Sequence, residues 1–137
     1  MLPQLFPLPV PITAVYASML AMLVVLLVVV VVKLRRSLRI GIGDGGNRDL
    51  ARAIRVHGNA IESIPLFLVL LGVYELNHGH PNALHFFGGV FFLARVLHAW
   101  GLFSSGGASP GRVSGTIGTN GCLLALALAN LLKVLGG

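Results

Sequence analysis

From Ile12 to Val32 the sequence reads ITAVYASMLAMLVVLLVVVVV, with no charged residue. A helix rises about 1.5 Å per residue, so this run alone reaches across the roughly 30 Å hydrocarbon core of a bilayer. It is too long for the apolar part of a cleaved signal, no positive charge precedes it, and no small-x-small cleavage site follows. It is therefore expected to persist as a first spanning helix. The composition agrees: 55% of residues are hydrophobic, 10% are charged and the mean hydropathy is +0.88. About a quarter of the residues of a soluble domain are charged.

Further apolar runs cover Ser63 to Leu76, Asn82 to Phe103 and Val113 to Leu132, separated by GIGDGGNRD, NHGHPN and SSGGASPG. Asn47 is a candidate N-cap for the second helix, with Asp49 in its first turn, where a negative charge suits the helix dipole. Pro81 and Pro110 fall near the first helical positions of helices three and four, with Ser109 as the cap of the last. The expected fold is a single all-α integral membrane domain over residues 1–137, an antiparallel four-helix bundle with spans at about 10–36, 48–76, 81–104 and 110–134. Gly41, Gly43 and Gly46 match G-x-G-x-x-G literally, but that fingerprint needs a preceding strand, so no dinucleotide site is read here. Cys122 is the only cysteine, which excludes an intrachain disulfide and CxxC chemistry. It shares a stripe with Ser114, Gly118, Ala125 and Ala129, and small residues at that spacing let membrane helices approach closely.

The formal net charge of +6 raises nucleic acid as a partner, but most of the basic residues flank helices and form no solvated binding face, so none is expected. Lys33, Arg35, Arg36, Arg39 and Arg48 lie between the first two spans, while NHGHPN holds no lysine or arginine. The positive-inside rule makes the first connection cytoplasmic and puts both termini on the opposite side. His78 and His80 read as a solvated turn, Glu75 as an interfacial residue, and the scattered histidines imply no metal.

The stretch RAIRVHGNAIESIP, Arg52 to Pro65, carries the polar groups that this topology does not explain. On a helix Arg52, Arg55, Asn59 and Glu62 fall on one stripe roughly 80° wide, with His57 off it. Arg95 and His98 on the third helix and Arg112 at the start of the fourth belong to the same leaflet. An arginine at mid-membrane costs about 2.5 to 3.5 kcal/mol, whereas a leucine returns about half a kcal/mol. Two readings follow. Glu62 could pair internally with Arg55 or Arg95 while Arg52 and Arg112 reach the headgroups. Alternatively an anionic ligand supplies the missing charge, since one glutamate cannot neutralise Arg55, Arg95 and Arg112 together. Glutathione fits that demand: arginines take its carboxylates, Glu62 accepts from its amine, and Asn59 both donates and accepts. A thiol of pKa about 8.5 is only about 3% ionised near neutrality, and a cation such as Arg112 that lowers it by roughly two units makes thiolate the main form.

RAIRVHGNAIESIPLFLVLLGVYELN, followed by LARVLHAWG and Arg112, resembles the MAPEG family, the membrane-associated proteins in eicosanoid and glutathione metabolism; GIGDGG and ELN resemble its small bacterial branch. The resemblance covers about Arg35 to Arg112. It implies a homotrimer of four-helix subunits in a bacterial inner membrane, with glutathione as co-substrate between neighbouring subunits near the cytoplasmic face. It matches Arg55, Asn59 and Glu62 to the family's glutathione motif and Arg95 and His98 to polar positions on the third helix. Arg112 matches the thiolate-stabilising arginine, and Arg35 a first-helix arginine. The implied activity is that of a glutathione transferase or peroxidase acting on a lipophilic substrate drawn from the membrane lipid. Ser63, Trp100 and Leu102 stand where conjugating members often carry tyrosine. The competing expectation is a non-catalytic scaffold or lipid-binding protein that keeps the fold. A channel is disfavoured, because the polar groups collect in one leaflet.

Overall fold

The computed structural model describes residues 9–104 and 110–136, with residues 102–104 as backbone only. Within them lie four helices: α1 (Pro11–Leu38), α2 (Arg48–Leu76), α3 (Pro81–Ser104) and α4 (Pro110–Gly136). All four are long and apolar enough to cross a membrane. Ser109, the cap expected for α4, and the side chain of Leu102 lie outside the described residues.

Contacts fix the directions of the helices. Glu75 near the end of α2 meets the start of α1, Phe67 stacks on Phe91 and Asn59 meets His98, and Cys122 meets Phe87 while Thr116 meets His98. Chain neighbours are therefore antiparallel. The tightest pair is α3 with α4, and α1 packs on α2 and α3. The core is a spine of Leu20, Leu27, Val56, Ala60, Phe67, Leu71, Leu84, Phe91 and Leu126. The Phe67 and Phe91 rings lie 3.8 Å apart and 4° from parallel. Many large apolar side chains point outward, among them Met22, Val25, Leu26, Leu66 and Phe86. In a bilayer such a surface faces lipid, so packing and hydrogen bonds, rather than expulsion of water, hold the helices to one another.

Helix ends must satisfy their own backbone groups. Asn47 caps α2 as expected, its Oδ1 accepting from the N–H of Asp49 (3.1 Å) and Leu50 (3.0 Å). The α1 N-terminus has no side-chain cap of its own and no acid in its first turn. Pro11 has no N–H, and the next two donors, Ile12 and Thr13, bond to the two carboxylate oxygens of Glu75 at 2.9 and 2.7 Å. Glu75, expected only to sit at the interface, is thus an interhelical cap. At the opposite end Arg39 closes α1 with φ 56°. Arg35 folds back so that Nη1 donates to the carbonyls of Ile40 (3.4 Å), Gly41 (3.3 Å) and Gly43 (2.8 Å). Gly43, Gly45 and Gly46, at φ 70°, 57° and 78°, supply the left-handed turns of this connection.

Small residues do hold α3 and α4 together, and Gly118 and Cys122 of the expected stripe belong to that seam. Gly115, Thr119 and Cys122 are buried, whereas Ser114 and Ala125 are exposed. A Cβ at Gly115 would lie 2.6 Å from His98 N and Cβ, and one at Gly118 would lie 3.0 Å from Ala94 Cβ. The chain folds this way because only hydrogen at position 115 lets the α3 backbone come so near. Cys122 closes the seam, its thiol directed at the Phe87 carbonyl (3.4 Å).

Two outcomes follow for thermal unfolding of the detergent-solubilised protein. Glu75→Ala leaves two helix donors unanswered and lowers stability by about 1–2 kcal/mol, with Glu75→Gln between it and the parent. Gly115→Ala forces α3 and α4 apart and costs about 1–3 kcal/mol, whereas Gly121→Ala, in open space, does not destabilise.

Candidate anion-binding cleft

α2, α3 and α4 enclose a cleft of about 350 Å³ lined by Asn59, Glu62 and Ser63, by Arg95 and His98, and by Thr116, Thr119 and Asn120, with Leu66 and Leu123 as its apolar wall. Its central feature is Arg95, which is 3% exposed. One nitrogen, Nη1, donates to Thr119 Oγ1 at 3.4 Å. Nε and Nη2 are buried without a hydrogen-bond partner. Together those two nitrogens form the side-on edge of the guanidinium, the edge that grips a carboxylate with two parallel bonds.

Glu62 lines the same cleft but is exposed and, among the described residues, has no ion pair. The internal pairing of Glu62 with Arg55 or Arg95 is therefore not formed. Arg55 instead donates from Nη2 to Asn59 Oδ1 (3.3 Å), and Arg52 reaches Asp49 Oδ1 at 3.6 Å. Each is served by a neighbour one helical turn away, which a long flexible side chain reaches more easily than a carboxylate on another helix.

Asn59 is held by its contacts. Its Oδ1 accepts from Arg55, so its Nδ2 faces His98 Nε2 at 3.0 Å. His98 is 5% exposed and reaches Thr116 Oγ1 with Nδ1 at 3.2 Å. Thr116 in turn donates its hydroxyl to the Arg112 carbonyl at 2.9 Å. Ser63 donates to the Asn59 carbonyl at 2.9 Å. Pro65, inside α2 next to the cleft, leaves the Ile61 carbonyl without its intrahelical donor.

The structure thus brings Asn59, Glu62, Arg95 and His98 into one cleft and attaches Arg55 through Asn59. It does not place Arg112, Arg35 or Arg52 there. Arg112 is exposed and lines an adjacent hollow of about 360 Å³ with Val113, Thr116 and Ile117; Thr116 belongs to both walls. Arg35 is engaged with loop carbonyls. Arg52 lines a separate groove with Val30, Lys33, Leu34 and Asp49. Sequence reasoning missed Thr116, Thr119 and Asn120. The signal was present, because three polar residues at i, i+3 and i+4 in an otherwise apolar span share one helix face.

A buried cation with two adjacent N–H donors unanswered among the described residues, and an acid and an amide lining the same cleft, suit an anion that also carries a positive group. Known proteins resemble the chain over most of its length. The chain is 38% identical over 120 residues to the inner membrane protein YecN of Escherichia coli, in strains K12 and O6:H1, an alignment covering 88% of this chain and 90% of that one. It is 31% identical over 86 residues to the uncharacterized protein sll1147 of Synechocystis, covering 59% of this chain and 62% of that protein. Residues 13–132 match the MAPEG family, from the first turn of α1 to the last turns of α4 and across every residue of the cleft. The chain is an integral membrane protein of the MAPEG family, a family of four-helix membrane bundles whose members include glutathione transferases.

Proposed function

We propose that this chain is a glutathione-dependent transferase or peroxidase of the inner membrane, acting on lipophilic electrophiles or hydroperoxides through an arginine-stabilised thiolate. The observation that carries this reading is Arg95: a guanidinium 3% exposed, with two adjacent N–H donors unanswered and no internal acid paired to it. An unpaired buried charge is costly enough that the fold keeps it for a partner that arrives from outside. Glutathione carries that partner. One carboxylate takes the open edge of Arg95, the second is served by Arg55, the ammonium group faces Glu62, and Asn59 lies between them.

The reacting sulfur then extends toward the first turn of α4, where Arg112 stabilises the thiolate. In conjugation the thiolate attacks the electrophilic carbon, the C–S bond forms and the leaving group departs with the electron pair. With a hydroperoxide the thiolate attacks the outer oxygen, the O–O bond breaks and an alcohol is released; a second glutathione converts the sulfenic acid to disulfide and water. Ser63 and Trp100 replace tyrosines that conjugating relatives use, so thiolate stabilisation rests on Arg112.

Arg55, Glu62 and Arg112 are exposed on the single subunit. Charges at that depth suit a subunit interface better than lipid, so the reading includes a homotrimer in which neighbouring subunits cover the cleft. Arg35 and Arg52 reach the ligand only across that interface. The cleft lies toward the cytoplasmic leaflet, where glutathione is supplied, and both termini lie on the other side. The inner-membrane assignment draws on the name of the Escherichia coli relative.

Glutathione titration of the purified protein, followed by the ultraviolet absorbance of the thiolate, tests the reading. A saturable signal is expected, lost in Arg112→Ala. Arg95→Lys keeps the charge but removes the two-toothed edge, and binding weakens roughly 10- to 100-fold, about 1.4–2.8 kcal/mol. No thiolate signal in the parent protein, or unchanged affinity in Arg95→Lys, removes this reading and favours a scaffold that keeps the fold without the chemistry.

A further inference from the structure

The chain of hydrogen bonds through His98 runs in a single direction. Arg55 has only donors to give, and it fixes Asn59 with Oδ1 toward itself at 3.3 Å. Asn59 must then present Nδ2–H to His98 Nε2 at 3.0 Å. That ring nitrogen accepts, so the ring hydrogen sits on Nδ1 and is donated to Thr116 Oγ1 at 3.2 Å. The Thr116 hydroxyl passes its own hydrogen to the Arg112 carbonyl at 2.9 Å, and the His98 ring also reaches the Arg112 backbone, so the chain ends on that acceptor. No two donors face each other along it. Reversing any link sets the Asn59 amide hydrogens against Arg55. The His98 backbone is also held close to α4, since a Cβ at Gly115 would lie 2.6 Å from it.

We infer that His98 and Thr116 are positioning residues: together they lock the amide that reads the ligand on α2 to the turn of α4 that carries Arg112. This inference rests on the glutathione reading and deepens it. Asn59 and Arg112 belong to different helices and line different hollows, and Thr116 is the residue that both hollows share. The imidazole has two separable legs. Nε2 holds Asn59, and so governs how well the ligand is bound. Nδ1–H holds Thr116, and so governs where the base of Arg112 stands relative to the sulfur. In a site of low dielectric the attraction between guanidinium and thiolate falls steeply with small displacements, and an error of about 1 Å can cost about 100-fold.

The two legs can be cut one at a time in the full-length protein. The amide oxygen of His98→Gln reaches the position of Nε2 and keeps the Asn59 leg; the amide nitrogen of His98→Asn takes the position of Nδ1 and keeps the Thr116 leg. The measurements are the glutathione dissociation constant and the thiolate absorbance at saturation. His98→Gln is expected to bind within about twofold of the parent and to lose most of the thiolate amplitude. His98→Asn is expected to bind roughly tenfold more weakly, about 1.4 kcal/mol, and to keep that amplitude once saturated. Thr116→Val behaves as His98→Gln does, and Thr116→Ser, which retains the hydroxyl, restores the signal. A residue that merely packs would move both quantities together and would not be rescued by serine. Identical behaviour of the two His98 variants, or parental amplitude in Thr116→Val, overturns the positioning role while the parent's own signal leaves the glutathione reading standing. A parent protein that forms no thiolate with glutathione overturns both. Should neither His98 variant fold, the Thr116→Val and Thr116→Ser pair decides alone.

Discussion

A guanidinium buried in a membrane protein has to be answered, and in this chain Arg95 is answered only in part. Among the described residues its one bond is to Thr119, at 3.4 Å. Burying an arginine at mid-membrane costs about 2.5 to 3.5 kcal/mol on insertion scales, and a threonine hydroxyl does not offset that. The chain could have placed a carboxylate on α4 at position 116, 119 or 120, where the side chains line the same cleft. It has threonine, threonine and asparagine there instead. None of the three is an acid, so α4 does not neutralise Arg95. Glu62, the acid of the cleft, stays at the exposed side.

The rest of the bundle makes this arrangement tolerable. Away from the cleft several polar groups are satisfied by exchange between helices. Glu75 of α2 caps α1 with both oxygens, and Asn130 of α4 donates to the Leu70 carbonyl of α2 at 2.9 Å and to the Leu126 carbonyl at 3.1 Å. Tyr16 of α1 donates to the His85 carbonyl of α3 at 3.0 Å. In hydrocarbon no water is available to take these bonds, so each one also fixes the register of a helix pair. The glycine seam between α3 and α4 does the same by contact, holding the wall that carries Arg95 and His98 against the wall that carries Thr116 and Thr119.

Much of this was legible in the sequence because a helix has a fixed turn. The uncharged run in α1, the cap at Asn47 and the shared face of Arg55, Asn59 and Glu62 all follow from spacing within one helix. What spacing cannot supply is which neighbour a face meets. The small-residue stripe was placed on Ser114, Gly118, Cys122, Ala125 and Ala129; Gly118 and Cys122 do face α3, but Gly115 and Thr119 are buried where Ser114 and Ala125 are exposed, because the α3 backbone fits only against a hydrogen at 115. Glu75 looked interfacial because its partners are backbone donors of another helix, which carry no side-chain signature. Arg35 is a further case. An arginine near a helix end reaches several loop carbonyls, and the turn made by Gly43 and Gly46 brings those carbonyls to it.

The two arginines central to the proposed chemistry differ in how their positions are set. Arg95 is fixed by burial: surrounded on nearly all sides, it has little room to move. Arg112 is exposed, at the first turn of α4. A long side chain in such a place explores several rotamers, and ordering it costs up to about 2 kcal/mol of side-chain entropy. An arginine that binds a carboxylate gains from burial, because burial keeps the partner in register and excludes water. One that stabilises a thiolate on a substrate entering from the bilayer has to leave an approach open, so burial cannot be what steadies it. Its backbone can be steadied instead, and the Thr116 hydroxyl bonded to the Arg112 carbonyl does this. On this view His98 occupies its position because from α3 it touches both the ligand-reading amide of α2 and Thr116, one turn beyond Arg112 in α4.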